Sequence, residues 1–116
     1  MVTVDDVRRV ALTLPGTTEH LIRDHVKFRV KRLVYVAFSR DETIMGFGFP
    51  REQRQALVDS EPHKFLLPSV ADLRYQWVDV RMAALDVEEM TELVTDAWTM
   101  VVPAYVARAY FDSLGG

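Results

Sequence analysis

Residues 26–49 have the sequence VKFRVKRLVYVAFSRDETIMGFGF, and polar and apolar side chains alternate in its first part. A period of two predicts a β-strand with apolar groups on one face and polar groups on the other. The polar positions of this strand are all cations: Lys27, Arg29 and Lys31. Lys31-Arg32 is short enough to form the turn of a hairpin that leads into the next strand.

The remainder of this stretch predicts two more strands. Residues 33–38 and 43–49 are apolar on both faces, and the polar residues 39–42 between them predict a turn. Strands that are apolar on both faces are typical of a central position in a sheet, with a covering layer or a second subunit on each side. Short connections make all three strands antiparallel neighbours.

Upstream of these strands the sequence predicts a helix followed by a loop. Apolar residues recur at helical spacing from Val4 to Leu14, with Thr3 as the N-cap and Pro15-Gly16 as the end signal. Residues 17–25 have no clean period, and we interpret them as a loop.

Downstream of these strands the sequence predicts more helices and one further strand. A short helix follows Pro50 over residues 51–60, and residues 72–85 contain a strand with alternating apolar positions. Asp86 caps a long helix that ends near Pro103, and residues 104–114 form a last helical piece. We therefore predict an α+β fold, with an antiparallel sheet of about four strands packed against helices.

The composition excludes several classes of function. The chain has 116 residues and no cysteine, so we expect a single domain over residues 1–116 without disulfides, thiolate metal sites or a cysteine nucleophile. The absence of cysteine also fits a cytoplasmic protein. No segment approaches the ~20 apolar residues that span a bilayer, and we expect no membrane association.

Charge is distributed unevenly along the chain. The net charge is −3, which argues against a uniformly basic nucleic-acid binder. Between His20 and Arg40, however, six cations oppose one acid, whereas from Asp86 to Gly116 six acids oppose one cation. The chain is therefore expected to have one electropositive region.

The cationic strand is the leading candidate for function. Lys27, Arg29 and Lys31 would project about 6–7 Å apart, a separation that permits contacts with neighbouring phosphates. With Arg32 at the turn, they predict weak, sequence-tolerant binding of nucleic acid, with double-stranded DNA as the expected partner. Three further candidates are Arg51, Arg54 and Arg81. Cations on a half-exposed sheet also serve solubility alone, so that interpretation stays open.

No catalytic, metal or cofactor site is predicted. Gly46-Phe47-Gly48-Phe49 before a helix differs from a phosphate-binding loop, because Arg51 replaces the third glycine and Pro50 removes an amide donor. The histidines at 20, 25 and 63 match no standard ligand spacing, and no serine lies in a Gly-x-Ser-x-Gly turn. We therefore expect a protein that is not an enzyme.

A second interpretation involves the aromatic residues of the sheet. Tyr35, Phe47, Phe49 and Trp77 would form an apolar face if the strands presented them together. Such a face would bind a small ligand, another protein or a second copy of the chain, forming a homodimer.

The order and spacing of five segments carry a family resemblance. The segments are Thr3–Arg9 with Leu14-Pro15-Gly16, Lys27–Val30, Pro50–Arg54, Trp77–Val80 and Glu92–Trp98. Together they resemble the MmcQ/YjbR family over essentially Thr3 to Tyr110. The resemblance implies a CyaY-like α+β fold, in the order helix, strands, helix, strand, helix, and a proposed DNA-binding role without established catalytic residues.

The chain departs from this pattern in one respect. Many relatives have a lysine near Gly48, and its absence here reduces the positive charge expected ahead of the second helix. A frataxin-like iron site is not expected either, because Asp5 and Asp6 are followed by Arg8 and Arg9.

Overall fold

The computed structural model describes residues 1–115. Four helices and six strands alternate along the chain in this order: α1 (Val4–Ala11), β1 (Thr17–Ile22), β2 (His25–Val30), β3 (Leu33–Phe38), β4 (Ile44–Gly48), α2 (Arg54–Ser60), β5 (Phe65–Leu66), β6 (Trp77–Arg81), α3 (Val87–Thr99) and α4 (Ala104–Gly115). The strands form one sheet in the order β1-β2-β3-β4-β6-β5, and all neighbours are antiparallel. The predicted α+β class is therefore confirmed.

The sheet has six strands, so the prediction of about four was too low. The larger omission is β1, which pairs with β2 along its whole length in a segment predicted as a loop. Its connection to β2 uses Arg23 and Asp24, both with positive φ, instead of the asparagine and glycine that usually signal such a turn. Because β1 is an edge strand with mostly exposed side chains, its residues also lack an alternating apolar pattern.

One side of the sheet carries the core. Phe28, Val36, Phe47 and Val78 are register neighbours across four strands, and each is fully buried. The side chain of Arg8 in α1 forms two 2.8 Å hydrogen bonds to Glu19, the register partner of Phe28, so α1 lies on this side. We call this the closed side of the sheet.

Local signals position the helices that cover the closed side. Thr3 and Asp6 form the predicted capping box of α1, and Asp86 accepts a 2.7 Å hydrogen bond from the Glu89 amide at the start of α3. Trp98 of α3 is fully buried, and its indole donates a 2.9 Å hydrogen bond to the Pro15 carbonyl. This bond joins the carboxyl-terminal half of α3 to the segment that follows α1.

The opposite side of the sheet, which we call the open side, carries smaller and ionisable residues. Its register row is Lys27, Ala37, Gly46 and Asp79. Within the described part of the chain, 1–115, no helix is long and apolar enough to cross a bilayer. The open side is where a groove forms.

Candidate functional site

The β2–β3 hairpin holds the four cations singled out by the sequence. Strand β2 ends at Val30, so Lys31 and Arg32 form the turn, as the short connection predicts. Lys31 has a φ of +54°, a left-handed conformation that places it at the exposed tip. The expectation that Lys31 extends the row of strand cations is therefore wrong, because only Lys27 and Arg29 lie within the strand.

A β-bulge changes the direction of these two strand cations. Phe28 pairs with Val36 but Arg29 pairs with Val34, so Tyr35 is the extra residue in β3. Bulges re-aim side chains and are frequent near functional sites. Here Lys27 and Arg29 are both half-buried, and the Nε of Arg29 is buried with no hydrogen-bond partner among residues 1–115.

The hairpin cations have no acidic partner within the described chain. Salt bridges among residues 1–115 involve three other cations, Arg8, Arg9 and Lys64. Lys64, for example, contacts both Glu61 and Glu89. The positive charge of the hairpin is therefore not neutralised by ion pairs of its own, in contrast to that of α1.

A groove of about 740 Å³ borders the hairpin. Lys27 and Arg32 line one wall, and Tyr75, Gln76 and Trp77 line the other. Apolar groups of β3 and the end of α3 lie between the walls, including Val34, Ala37 and Met100. The groove thus combines cations, aromatic rings and an apolar floor.

Trp77 lies across the backbone of β4. A Cβ atom at Gly46 would fall 2.8 Å from Cε2 of the indole, so the ring occupies the space that any side chain there would need. The expectation that the glycines of β4 admit a bulky cross-strand neighbour is confirmed at Gly46. Trp77 is only half-buried, and it presents the rest of its surface to the groove.

Asp79 follows Trp77 on the open side. Burial raises the pKa of its carboxyl to about 6, and the negative charge of Asp72 raises it further in the same direction. A side-chain hydrogen bond from Trp77 opposes this shift. Asp72 itself lines the groove, so the aromatic wall is also the acidic one.

Two arginines of the second helical segment hold the aromatic wall. Arg54 is 9% exposed, and its guanidinium donates to the carbonyl oxygens of Leu73 at 2.5 Å, Tyr75 at 2.9 Å and Trp77 at 3.4 Å. Arg51 donates to the Arg74 carbonyl at 2.6 Å. These contacts position the loop that precedes β6 and direct both arginines toward backbone oxygens.

The structure separates the remaining candidates. Arg81 is exposed at the far end of β6 from Trp77. Of the four aromatic residues, Tyr35 and Trp77 line the groove, whereas Phe47 is fully buried on the closed side. Phe49 packs edge-to-face on Phe47, with ring centroids 6.1 Å apart.

Tyr35 belongs to the floor of the groove. Its side chain is fully buried, and its hydroxyl lies 2.8 Å from the hydroxyl of Thr17 in β1. Burial raises the pKa of Tyr35 to about 12. This contact ties the bulge of β3 to the edge strand.

The histidines are dispersed within the fold. His20 Nε2 lies 2.9 Å from the Thr18 hydroxyl, and His25 Nδ1 lies 2.8 Å from the Phe38 carbonyl oxygen. Among residues 1–115, no group of three or more histidine, aspartate or glutamate side chains is arranged to hold a metal ion.

Sequence reasoning missed part of the groove. Tyr75 and Gln76 lie in a loop without periodicity, and Met100 lies at the end of α3. The main signal in the sequence was the aromatic and arginine content of residues 74–77, RYQW, next to a predicted strand. That signal does not indicate which other segment the loop faces.

Comparison with known proteins is consistent with this architecture. The fold is similar to the crystal structure of the Deinococcus radiodurans protein DR2400, a DUF419 domain, with a TM-score of 0.76 and 22% sequence identity. The alignment covers 99% of this chain and 89% of that one, and at this identity the likeness is one of fold. A search of curated proteins finds no match. The YjbR family model matches residues 12–100, which is most of the sequence. The chain therefore belongs to the YjbR family.

Proposed function

We propose that this protein is a non-catalytic DNA-binding protein whose β2–β3 hairpin contacts backbone phosphates. The observation that carries the proposal is the absence of any ion pair at Lys27, Arg29, Lys31 or Arg32 within residues 1–115. Unneutralised cations gathered on one hairpin attract a polyanion and gain free energy when bound counterions are released from it.

The placement of the four cations supports this function. Lys31 and Arg32 are exposed at the tip, and Lys27 and Arg32 also line the groove, so a phosphate chain can pass from the turn into the groove. Arg29 adds a guanidinium whose Nε lacks a partner among residues 1–115. Since the net charge of the whole chain is −3, we expect weak binding that depends on how the hairpin is oriented.

Two variants of equal net charge test the proposal. Lys31→Glu/Arg32→Glu reverses the tip of the hairpin, and Arg9→Glu/Arg108→Glu reverses two exposed cations on α1 and α4. Fluorescence anisotropy with a labelled mixed-sequence DNA, measured over a salt series, gives the affinity and its salt dependence.

The hairpin variant is expected to lose binding at moderate salt. Removal of one cation that binds a phosphate should reduce the slope of log affinity against log salt by about 0.7–0.9. The α1/α4 variant should retain the wild-type slope. An equal drop in affinity for the two variants would show that only total charge matters, and no wild-type binding at low salt would refute the DNA-binding function.

Four expectations remain predictions alongside this proposal. They are the cytoplasmic location, the CyaY-like arrangement, a homodimer, and the alternative of a protein-interaction or small-ligand module that uses the aromatic residues. The wild-type result at low salt bears on the last of these, because a protein that binds no DNA would turn attention to the groove as a ligand site.

A further inference from the structure

The groove brings two kinds of group together that a nucleic-acid strand uses separately. Lys27 and Arg32 on the hairpin wall suit a phosphate, and Tyr75 and Trp77 on the other wall suit the flat face of a base. The groove volume of about 740 Å³ lies within the range of about 300–1,000 Å³ that is usual for ligand pockets.

The charges of the two walls set the direction in which a nucleotide would lie. The hairpin wall is cationic, whereas the aromatic wall contains Asp72, with Asp79 nearby on the same side of the sheet. A phosphate is attracted to the first wall and repelled by the second. The base of the same nucleotide is therefore directed toward the aromatic residues.

Trp77 is held in place before any ligand binds. Its indole lies against the backbone of Gly46, and Arg54 holds its carbonyl oxygen. Tyr75 is 51% exposed, and the Arg74 guanidinium lies 4.8 Å from the centre of its ring. Aromatic rings fixed in this way lose little conformational entropy when a base stacks on them.

A duplex cannot use this wall. Its bases are stacked on one another and expose only their edges, whereas an unpaired base exposes a whole face and can enter a recess. We propose that the groove binds single-stranded DNA, with one unpaired base stacked on Trp77 and the adjoining phosphate at Lys27 and Arg32. This inference rests on the proposed DNA-binding function and names the form of DNA that the same site prefers.

Three labelled DNA probes separate stacking from phosphate binding. They are a single strand of thymidines, an abasic strand with the same number of phosphates, and a duplex that contains the thymidine strand. The wild-type protein should bind the thymidine strand about 5- to 100-fold more tightly than the abasic strand, which corresponds to one stacked base. The duplex should resemble the abasic strand.

Trp77→Leu removes the aromatic face but leaves an apolar side chain over Gly46. This variant should bind the thymidine strand and the abasic strand with equal affinity, while its affinity for the abasic strand stays at the wild-type value. Tyr75→Leu, at an exposed position, should reduce the preference by a smaller factor. Circular dichroism verifies that each variant is folded, and if Trp77→Leu is not, the wild-type comparison of the first two probes decides the question.

The outcomes distinguish the two proposals. Equal wild-type affinity for all three probes, abolished by charge reversal at Lys31 and Arg32, would overturn the stacking inference and leave the phosphate-binding function intact. No affinity for any probe would overturn both. Quenching of tryptophan emission by the thymidine strand, absent with the abasic strand, would support stacking on Trp77, since the other tryptophan, Trp98, is fully buried.

Discussion

The closed and open sides of the sheet are built by the same strands, yet they differ in nearly every property. The closed row of Phe28, Val36, Phe47 and Val78 is large, apolar and fully buried. The open row of Lys27, Ala37, Gly46 and Asp79 is small or ionisable, and it borders a groove. Alternation of side chains gives each strand two independent surfaces, so one can provide stability while the other is shaped for binding.

The largest expected effect is on the closed side. Phe47→Ala removes a fully buried ring and leaves a cavity, which should lower the free energy of unfolding by about 3–5 kcal/mol. Lys27→Ala on the open row should cost less than about 1 kcal/mol. Urea denaturation of both variants measures the difference, and an equal cost for the two would remove the distinction between the sides.

The next effect concerns the wall of the groove. Arg54→Met removes a charged donor that three carbonyl oxygens share, and we expect the free energy of unfolding to fall by about 2 kcal/mol. Amide hydrogen exchange should accelerate at residues 73–77, the segment that these bonds hold. Arg51→Met is the matched control, because it breaks one bond to a single carbonyl at an exposed site. Unchanged exchange in the Arg54 variant would contradict this role.

A pair of glycines on β4 tests the contact beneath Trp77. Gly46→Ala forces the indole to move and should cost about 1–2 kcal/mol, because the close approach leaves no room for a methyl group. At Gly48 the nearest atom to an added Cβ lies 3.6 Å away, so Gly48→Ala should be neutral or slightly stabilising. Thermal unfolding and tryptophan emission report on both. A neutral Gly46 variant with unchanged emission would show that Trp77 does not depend on this contact.

The smallest effect comes from Asp79. Its raised pKa of about 6 means that the folded state binds more protons than the unfolded chain between about pH 4 and pH 6. Stability therefore falls as pH rises through this interval, and the penalty is complete above it. Because Asp79 is partly exposed, Asp79→Asn should stabilise the protein near neutral pH by no more than about 1 kcal/mol.

The same substitution should flatten the pH dependence of unfolding between about pH 4 and pH 6. Asp112→Asn, at an exposed position on α4, changes the net charge equally and serves as the control. Denaturant titrations at several pH values measure both variants. A wild-type stability that rises with pH across this interval, or equal effects of the two substitutions, would contradict the assignment to Asp79.

Much of the fold could be predicted because its signals are local. The capping box at Thr3 and Asp6, the two-residue turn at Lys31-Arg32 and the apolar faces of β3 and β4 each depend on a few neighbouring residues. Strand β1 was missed because an edge strand is stabilised by pairing and by the contact between Arg8 and Glu19. Neither interaction leaves a pattern within the strand itself.

The candidate site was predictable only in part, for a related reason. Alternation identifies Lys27 and Arg29 as cations of one strand, and it separates them from the apolar residues of the core. It does not reveal the bulge at Tyr35, which depends on how β2 and β3 align. Charge alone also suggested Arg54 as a phosphate ligand, whereas the packed structure directs this guanidinium to the loop before β6.

The amino-acid sequence alone establishes the helices, the central antiparallel strands and a concentration of positive charge at one hairpin. These follow from periodicity, capping and turn chemistry, which act over a few residues. Only tertiary structure brings the hairpin, the loop at Tyr75 and the end of α3 together around one groove. Register and packing between distant segments decide that arrangement, because its contacts form only when the sheet and its covering helices are assembled.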